Sequence, residues 1–220
     1  MIGGWQELRN NNRDLAFLLL FTPAKTRDLC ADLFLLGFEL DNAIHIPSEV
    51  MLAAIRLQWW RDEMTTANIS ATNQDPKSAP STSKVPLVAR FQTHMASNLV
   101  SHDELAEMIE GWQDRVGDGD LDPFLCWGGC WQLIAKIITR GANAYEARDI
   151  TQIAMCFMRL LRDPQDRLKP ITIELQGNAQ SLPKFITIAA KMIRYWHHNP
   201  MTESDDPLLI WRMLWWRIKS

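Results

Sequence analysis

The chain has 220 residues, 47% of them hydrophobic, and this length favours one globular domain over residues 1–220. Its formal charge of −3 and its pI near 6.0 exclude a general attraction to nucleic acid or to anionic lipid, so no nucleic-acid partner is predicted and any cationic surface must be local. The four cysteines show neither metal-ligand nor disulfide spacing, and we expect reduced core residues.

The first helical segments are predicted near the N-terminus. Residues 14–21 form a short helical segment, and Thr22 followed by Pro23 is a start signal for a helix over residues 24–43. The apolar run 15–21 is far too short to cross a bilayer, and the N-terminus lacks the pattern of a secretory signal. We therefore expect a cytoplasmic protein, and peripheral contact with a membrane remains compatible with the sequence.

The stretch from Phe38 to Met64 is the most informative part of the chain. It contains the end of one helix, a corner at Pro47, and a second helix for which Ser48 is the expected cap. Polar residues fall among apolar ones at helical spacing here, so some should point inward or line a cleft.

Residues 68–84 are predicted to be a surface or disordered loop. They are rich in Ser, Thr, Asn and Pro and have almost no apolar content. A linker between two domains is the alternative, but the 67 residues before it look too incomplete to form a core alone.

The remainder of the chain again shows helical periodicity. Ser101 and Glu104 predict a capping box, and Gly141 is the expected C-cap of an almost wholly apolar helix. The predicted helices in this part are 88–99, the segment after Ser101, 124–140, 144–162, 182–196 and 207–218. No stretch alternates as strands do, so the predicted class is all-α with about eight helices.

The ten tryptophans are unusual beside only two tyrosines. Packing in the core is the first interpretation of such large aromatic side chains. A ligand cavity or an interface is the alternative.

Few carboxylates have the spacing that magnesium chemistry needs, which is two on one helical face. Two pairs diverge on a helix: Glu39 with Asp41, and Asp62 with Glu63. Asp163 and Asp166 have a workable spacing, but Pro164 makes a solvated cap the commoner explanation.

Four arginines could bind phosphate through their guanidinium groups: Arg56, Arg61, Arg162 and Arg167. The alternative is that each pairs with an acidic residue, for example Arg61 with Asp62 or Asp163. We give the structural role more weight.

Several segments resemble the squalene/phytoene synthase family. FTPAKTRDLCADLFLLGFEL followed by IRLQWWRDEM resembles the family's N-terminal helices, and the match continues through HDELAEMIEGWQDRV, MCFMRLLRDPQD and WRMLWWR. The resemblance covers most of the chain outside residues 68–84. It implies the all-α bundle of class I isoprenoid synthases, which join two prenyl diphosphates using magnesium held by two aspartate-rich motifs.

The metal motifs depart from the family pattern. The first should follow Phe38, where the chain reads NAIHI and only Asp41 remains. Asp163 matches the start of the second motif, and Asp166 comes one residue early. The chain therefore looks similar to the degenerate branch of the family, which includes assembly factors for respiratory complex I and related bacterial proteins.

Three functions are consistent with the resemblance. The first is a non-catalytic protein without a cofactor that binds a lipid or a protein partner in or beside the former prenyl cavity. The second is a magnesium-dependent prenyltransferase. The third is a helical interaction module without a cavity, which uses an exposed end at Trp215 and Trp216.

The prenyltransferase hypothesis assigns a role to each candidate residue. Asp41, Asp163 and Asp166 would be catalytic, with Asp163 and Asp166 as magnesium ligands. Arg56 and Arg61 would bind the diphosphate of the prenyl substrate.

Overall fold

The computed structural model describes residues 3–47, 49–72, 85–118, 120–140, 146–163, 165–166, 182–199 and 209–218. These residues are all helical or irregular, without a strand, and the predicted all-α class is confirmed. Ten α-helices are described: α1 (Gly4–Asn11), α2 (Arg13–Leu18), α3 (Arg27–His45), α4 (Val50–Thr72), α5 (Pro86–Ala96), α6 (His102–Gly117), α7 (Trp127–Thr139), α8 (Ala147–Arg162), α9 (Lys184–His198) and α10 (Leu209–Ile218).

Helix α1 is absent from the sequence prediction because it lacks an apolar stripe. Its first turn is fixed by α3, where Oδ1 of Asp28 accepts a hydrogen bond from the backbone N–H of Trp5 at 3.1 Å. Its buried residues are Gly4 and Leu8. A contact from a distant helix therefore supplies what the local sequence does not.

The start of α3 differs from the prediction. Thr22 is not its N-cap, because the buried Thr22 hydroxyl donates a hydrogen bond to the carbonyl of Leu19 at 2.7 Å. A 3-10 helix, Ala24–Thr26, follows Pro23, and α3 begins at Arg27.

Helix α4 is longer than the sequence suggests. It continues to Thr72, so the predicted loop is wrong for residues 68–72. These residues contain neither Pro nor Gly, and each residue added to an existing helix gains a hydrogen bond at low entropic cost. Residues 73–84 and the predicted cap Ser48 lie outside the described residues.

Two helix ends in the second half were also predicted. The capping box is confirmed, since Ser101 Oγ accepts from the Glu104 N–H at 3.2 Å and Glu104 Oε2 accepts from the Ser101 N–H at 2.8 Å. At the end of α7, Arg140 adopts a left-handed conformation with φ of 51°. The expected C-cap Gly141 lies outside the described residues.

Helix α3 lies at the centre of the bundle. It packs against α1, α4, α5, α6 and α7. Helix α8 packs between α7 and α9, and α9 also packs against α10. The buried apolar residues of both halves of the chain form one cluster. A membrane-spanning helix was sought among the described residues, and none of their helices has the length and apolar character required.

Candidate functional site

Asp41 is the carboxylate that the resemblance places at the first metal motif. It lies near the end of α3 and is 9% exposed. Its Oδ2 accepts a hydrogen bond from Nη1 of Arg162, the last residue of α8, at 2.9 Å. Its Oδ1 lies 3.5 Å from Nε2 of His45, and Nη1 of Arg115 lies 3.4 Å from the same nitrogen. Three helices thus bring one carboxylate, one imidazole and two guanidinium groups together.

The charge of this cluster is unfavourable for a magnesium ion. Magnesium is bound by oxygen ligands, mostly carboxylates, whereas two guanidinium groups lie at or next to this single carboxylate. A metal ion that used both oxygens of Asp41 would have to displace Arg162 from Oδ2. Among the residues that the structure describes, no group of three or more His, Cys, Asp or Glu side chains could hold a metal ion.

The environment of His45 favours its neutral form. Burial lowers the pKa of His45 below its ordinary value, and the positive charges of Arg162 and Arg115 act in the same direction against the opposing effect of Asp41. A neutral imidazole can accept a hydrogen bond at Nε2, which matches the approach of Arg115.

Asp163 directly follows Arg162 in the chain, and its carboxylate stabilises a turn. Oδ1 of Asp163 accepts a hydrogen bond from the N–H of Gln165 at 2.9 Å, and its carbonyl accepts from the N–H of Asp166 at 3.0 Å. The residue is exposed. This arrangement agrees with the solvated cap that the sequence analysis named as the commoner explanation. Pro164 and Arg167 themselves lie outside the described residues.

The two arginines assigned to diphosphate lie on different sides of α4. Nη1 of Arg61 donates to Oε1 of Gln113 at 3.0 Å and lies 3.9 Å from Glu110, both on α6. Arg61 thus approaches an acidic residue, as the structural interpretation expected, but this residue is Glu110 and not Asp62 or Asp163, the two examples considered from the sequence. Arg56 is exposed, and five residues of helix separate it from Arg61 by about 140° around the axis. The structure does not bring the two guanidinium groups together.

Aromatic rings fill the space between the central helices. Trp131 on α7 contacts three rings from other helices, at centroid distances of 5.3 to 5.7 Å: Phe34, Phe157 and Phe185. Trp127, one turn earlier, contacts Phe38 at 5.0 Å and Trp112 at 5.6 Å. The interpretation of these tryptophans as core residues is confirmed, since Trp112, Trp127 and Trp131 are all less than 2% exposed.

A side cleft of about 490 Å³ lies between α1, α3, α4 and the start of α5. Its walls combine apolar residues such as Phe38 and Trp60 with polar residues such as Glu39 and Asn42. This volume lies within the ordinary range for small-molecule sites. The candidate catalytic and diphosphate-binding residues are not part of its lining.

A buried ionic network at Asp32 was not predicted from the sequence. The fully buried carboxylate accepts from Nε of Arg90 and lies against Nε2 of His94, each at 2.8 Å. Arg90 also binds Glu7 at 3.0 Å, so the network ties α1 and α5 to α3. The available signal was an aspartate inside the apolar run LCADLFLL, which requires a charged partner when it is buried.

Helix α10 packs on α9 with one face and exposes the other. Met213 is buried, and Trp216 is partly buried against Tyr195 at a centroid distance of 6.0 Å, so the expected exposure of Trp216 is wrong. The outward face has three large apolar side chains at helical spacing, and their exposed fractions are 70% for Trp211, 37% for Leu214 and 55% for Trp215.

The two last helices are also rich in positive charge. They carry five Lys or Arg residues and no Asp or Glu: Lys184, Lys191, Arg194, Arg212 and Arg217. The connecting residues 200–208, which lie outside the described part, contain three acidic residues by sequence. Residues 182–218 therefore have a net positive charge in a chain whose overall charge is −3.

Comparisons with family models, with curated proteins and with solved structures found no match to this chain. The resemblance to squalene/phytoene synthases consequently stays a prediction, based on the sequence segments quoted above.

Proposed function

We propose that this chain is a non-catalytic helical protein with a squalene/phytoene synthase-like fold that binds an anionic lipid surface. Binding takes place on the outside of the bundle, at the outward face of α10, rather than in an internal prenyl cavity. The observation that carries this proposal is the combination on α10 of exposed Trp211 and Trp215 with the neighbouring positive charges of α9 and α10.

The ion pair at Asp41 supports the non-catalytic part of the proposal. Coupling of prenyl diphosphates needs several magnesium ions, each with its own oxygen ligands. Asp41 is paired with Arg162, and Asp163 binds the backbone of its own turn. The two carboxylates that the resemblance assigns to different metal motifs thus have protein partners.

The packing of the central helices supports binding outside the bundle. A prenyl chain needs an apolar channel, and the space between α3, α7, α8 and α9 is occupied by the rings around Trp131. Four of the tryptophans, Trp112, Trp127, Trp131 and Trp196, are therefore used for packing.

The outward face of α10 has the composition of an interfacial helix. Tryptophan side chains prefer the boundary between head groups and acyl chains, and arginine and lysine interact with anionic head groups there. Each cation close to an anionic membrane contributes about 1 kcal/mol. Arg194 and Arg212 are exposed, while the Arg212 guanidinium lies 4.7 Å from the Tyr195 ring centroid.

Vesicle co-sedimentation of the full chain tests this function. We expect binding to phosphatidylcholine vesicles that contain about one third phosphatidylglycerol, weak binding to phosphatidylcholine alone, and loss of binding at high salt. The double variant Trp211→Ser/Trp215→Ser should bind at least about tenfold more weakly, since burial of one large apolar side chain contributes about 1.5–3 kcal/mol.

A matched pair of single variants controls for general loss of apolar surface. Leu214 on α10 and Leu125 before α7 are 37% and 39% exposed. Leu214→Ser should weaken vesicle binding and Leu125→Ser should leave it unchanged. Equal binding to neutral and anionic vesicles, or equal effects of the two leucine variants, would refute the proposed surface. Absence of binding to either kind of vesicle would favour a protein partner for this surface instead.

A further inference from the structure

Helix α4 has two apolar faces, of which only one is covered. Its inner face buries Ala53, Leu57, Trp60 and Met64, and α4 packs there on α3 and α6. Large apolar side chains also point outward from its first turns, with exposed fractions of 42% to 72%: Val50, Met51, Leu52, Ile55 and Trp59. A helix that is apolar on all sides is normally covered on all sides.

The outward residues form a continuous stripe. Met51, Ile55 and Trp59 follow one another at intervals of four residues, so they lie on one side of the helix, opposite the buried face. Leu52 widens this stripe toward the flank that carries Glu49 and Arg56. At about 100 Å² for each of these four exposed side chains, the stripe offers on the order of 400 Å², against about 800 Å² per partner in an interface of standard size.

The charges beside the stripe are complementary to those of a second copy. Glu49 and Arg56 are both exposed, and they are seven residues apart, which places them on the same flank. If two copies of α4 pair antiparallel about a two-fold axis midway between these residues, each Glu49 meets the other copy's Arg56. The axis lies at the level of Leu52, so the two stripes overlap around Met51 and Leu52, while Ile55 and Trp59 face the exposed Val50 and Ile46 of the other copy.

We propose that the outward face of α4 is a self-association surface, and that two copies of this chain pair through it in antiparallel orientation. Met51, Ile55 and Trp59 form the apolar part of the interface, and two Glu49–Arg56 ion pairs fix its register. This pairing is independent of lipid binding, because α10 is not part of the interface.

Sedimentation velocity of the full chain from about 1 µM to about 100 µM tests the proposal. The wild-type chain should shift from monomer to dimer over this range, and Ile55→Asp should remain a monomer. Because Ile55 is 58% exposed, its aspartate variant keeps the fold, which thermal unfolding verifies. A wild-type chain that stays monomeric at all concentrations would mean that another partner covers α4, and it would overturn the proposal.

A charge exchange tests the antiparallel register. Glu49→Arg alone and Arg56→Glu alone each place like charges together and should weaken the dimer by about tenfold or more. The double variant Glu49→Arg/Arg56→Glu restores opposite charges and should return the dissociation constant to within about threefold of wild type. If both single variants weaken the dimer and the double variant does not restore its dissociation constant, this register is excluded. Trp215→Asp on α10 should leave the dimer unchanged, and dissociation by that substitution would refute the assignment to α4.

Discussion

Loss of Arg162 should destabilise the protein more than loss of Arg159, although both arginines lie on α8 and each binds a carboxylate. Arg162 pairs with Asp41, whose side chain is only 12% exposed, whereas Arg159 pairs with Asp122, whose side chain is 31% exposed. The two arginines themselves are similarly exposed, at 48% and 41%. The substitutions Arg162→Met and Arg159→Met therefore differ in the burial of the carboxylate that loses its arginine, and Arg159→Met also removes the contact of the guanidinium with the Phe124 ring at 5.7 Å.

The expected magnitudes follow from this difference in burial. Solvent-exposed ion pairs contribute at most about 1 kcal/mol, while leaving one partner of a fully buried pair alone costs about 3–5 kcal/mol. Asp41 is nearly buried but its arginine is half exposed, so we expect Arg162→Met to lower the free energy of unfolding by roughly 2 kcal/mol. Arg159→Met should cost less than about 1 kcal/mol. For a chain of this size the first loss corresponds to a decrease in Tm of about 4–8 °C.

Urea and thermal unfolding, followed by circular dichroism, measure both effects. A double-mutant cycle with Asp41→Asn separates the ion pair from the packing of the arginine stem, because the loss in Asp41→Asn/Arg162→Met should be smaller than the sum of the single losses. Additive single losses, or a larger cost for Arg159→Met than for Arg162→Met, would refute the structural role assigned to the Asp41–Arg162 pair.

Three further predictions follow from individual side chains. Because the pKa of His45 is lowered in the folded protein, the unfolded chain binds more protons as pH falls below about 6.5; stability should decrease there, and His45→Gln should show a smaller decrease in Tm between pH 7 and pH 5. Burial raises the pKa of all four cysteine thiols, and only Cys156 is partly exposed. A thiol reagent should therefore label the native chain at Cys156 alone, and rapid labelling of the native Cys156→Ser variant would contradict this. Gly111→Ala should raise the free energy of unfolding by about 0.5–1 kcal/mol, because the added Cβ meets no atom within 4 Å, whereas Gly4→Ala should lower it because the added Cβ would clash with Oδ1 of Asp32. Effects of the same sign in urea unfolding would disprove this contrast.

The helices could be predicted from the sequence where their signals are local. Apolar periodicity and the Ser101 capping box give the elements of the second half to within a few residues. Helix α1 was missed because its stability depends on Asp28, which is 23 residues away from Trp5 in the chain. The N-cap predicted at Thr22 failed for a related reason, since a buried hydroxyl found a carbonyl partner in the preceding turn.

The candidate site depends even more on distant contacts. The sequence shows directly that Asp41 is the only carboxylate in the segment DNAIHI, but its partner Arg162 is 121 residues away, and no spacing rule connects the two. The sequence likewise offered Asp62 only as an example of a partner for Arg61, whereas the observed partners, Gln113 and Glu110, lie on α6. Sequence patterns therefore indicated which residues to examine, and tertiary packing decided how they are paired.

Because Asp41 pairs with Arg162, we propose that it holds no magnesium ion. Product formation from farnesyl or geranylgeranyl diphosphate with Mg²⁺ tests this claim most directly. We predict no coupled prenyl product from the purified chain at any magnesium concentration. A coupled product that disappears in a folded Asp163→Ala variant would contradict the account and establish the prenyltransferase reading instead.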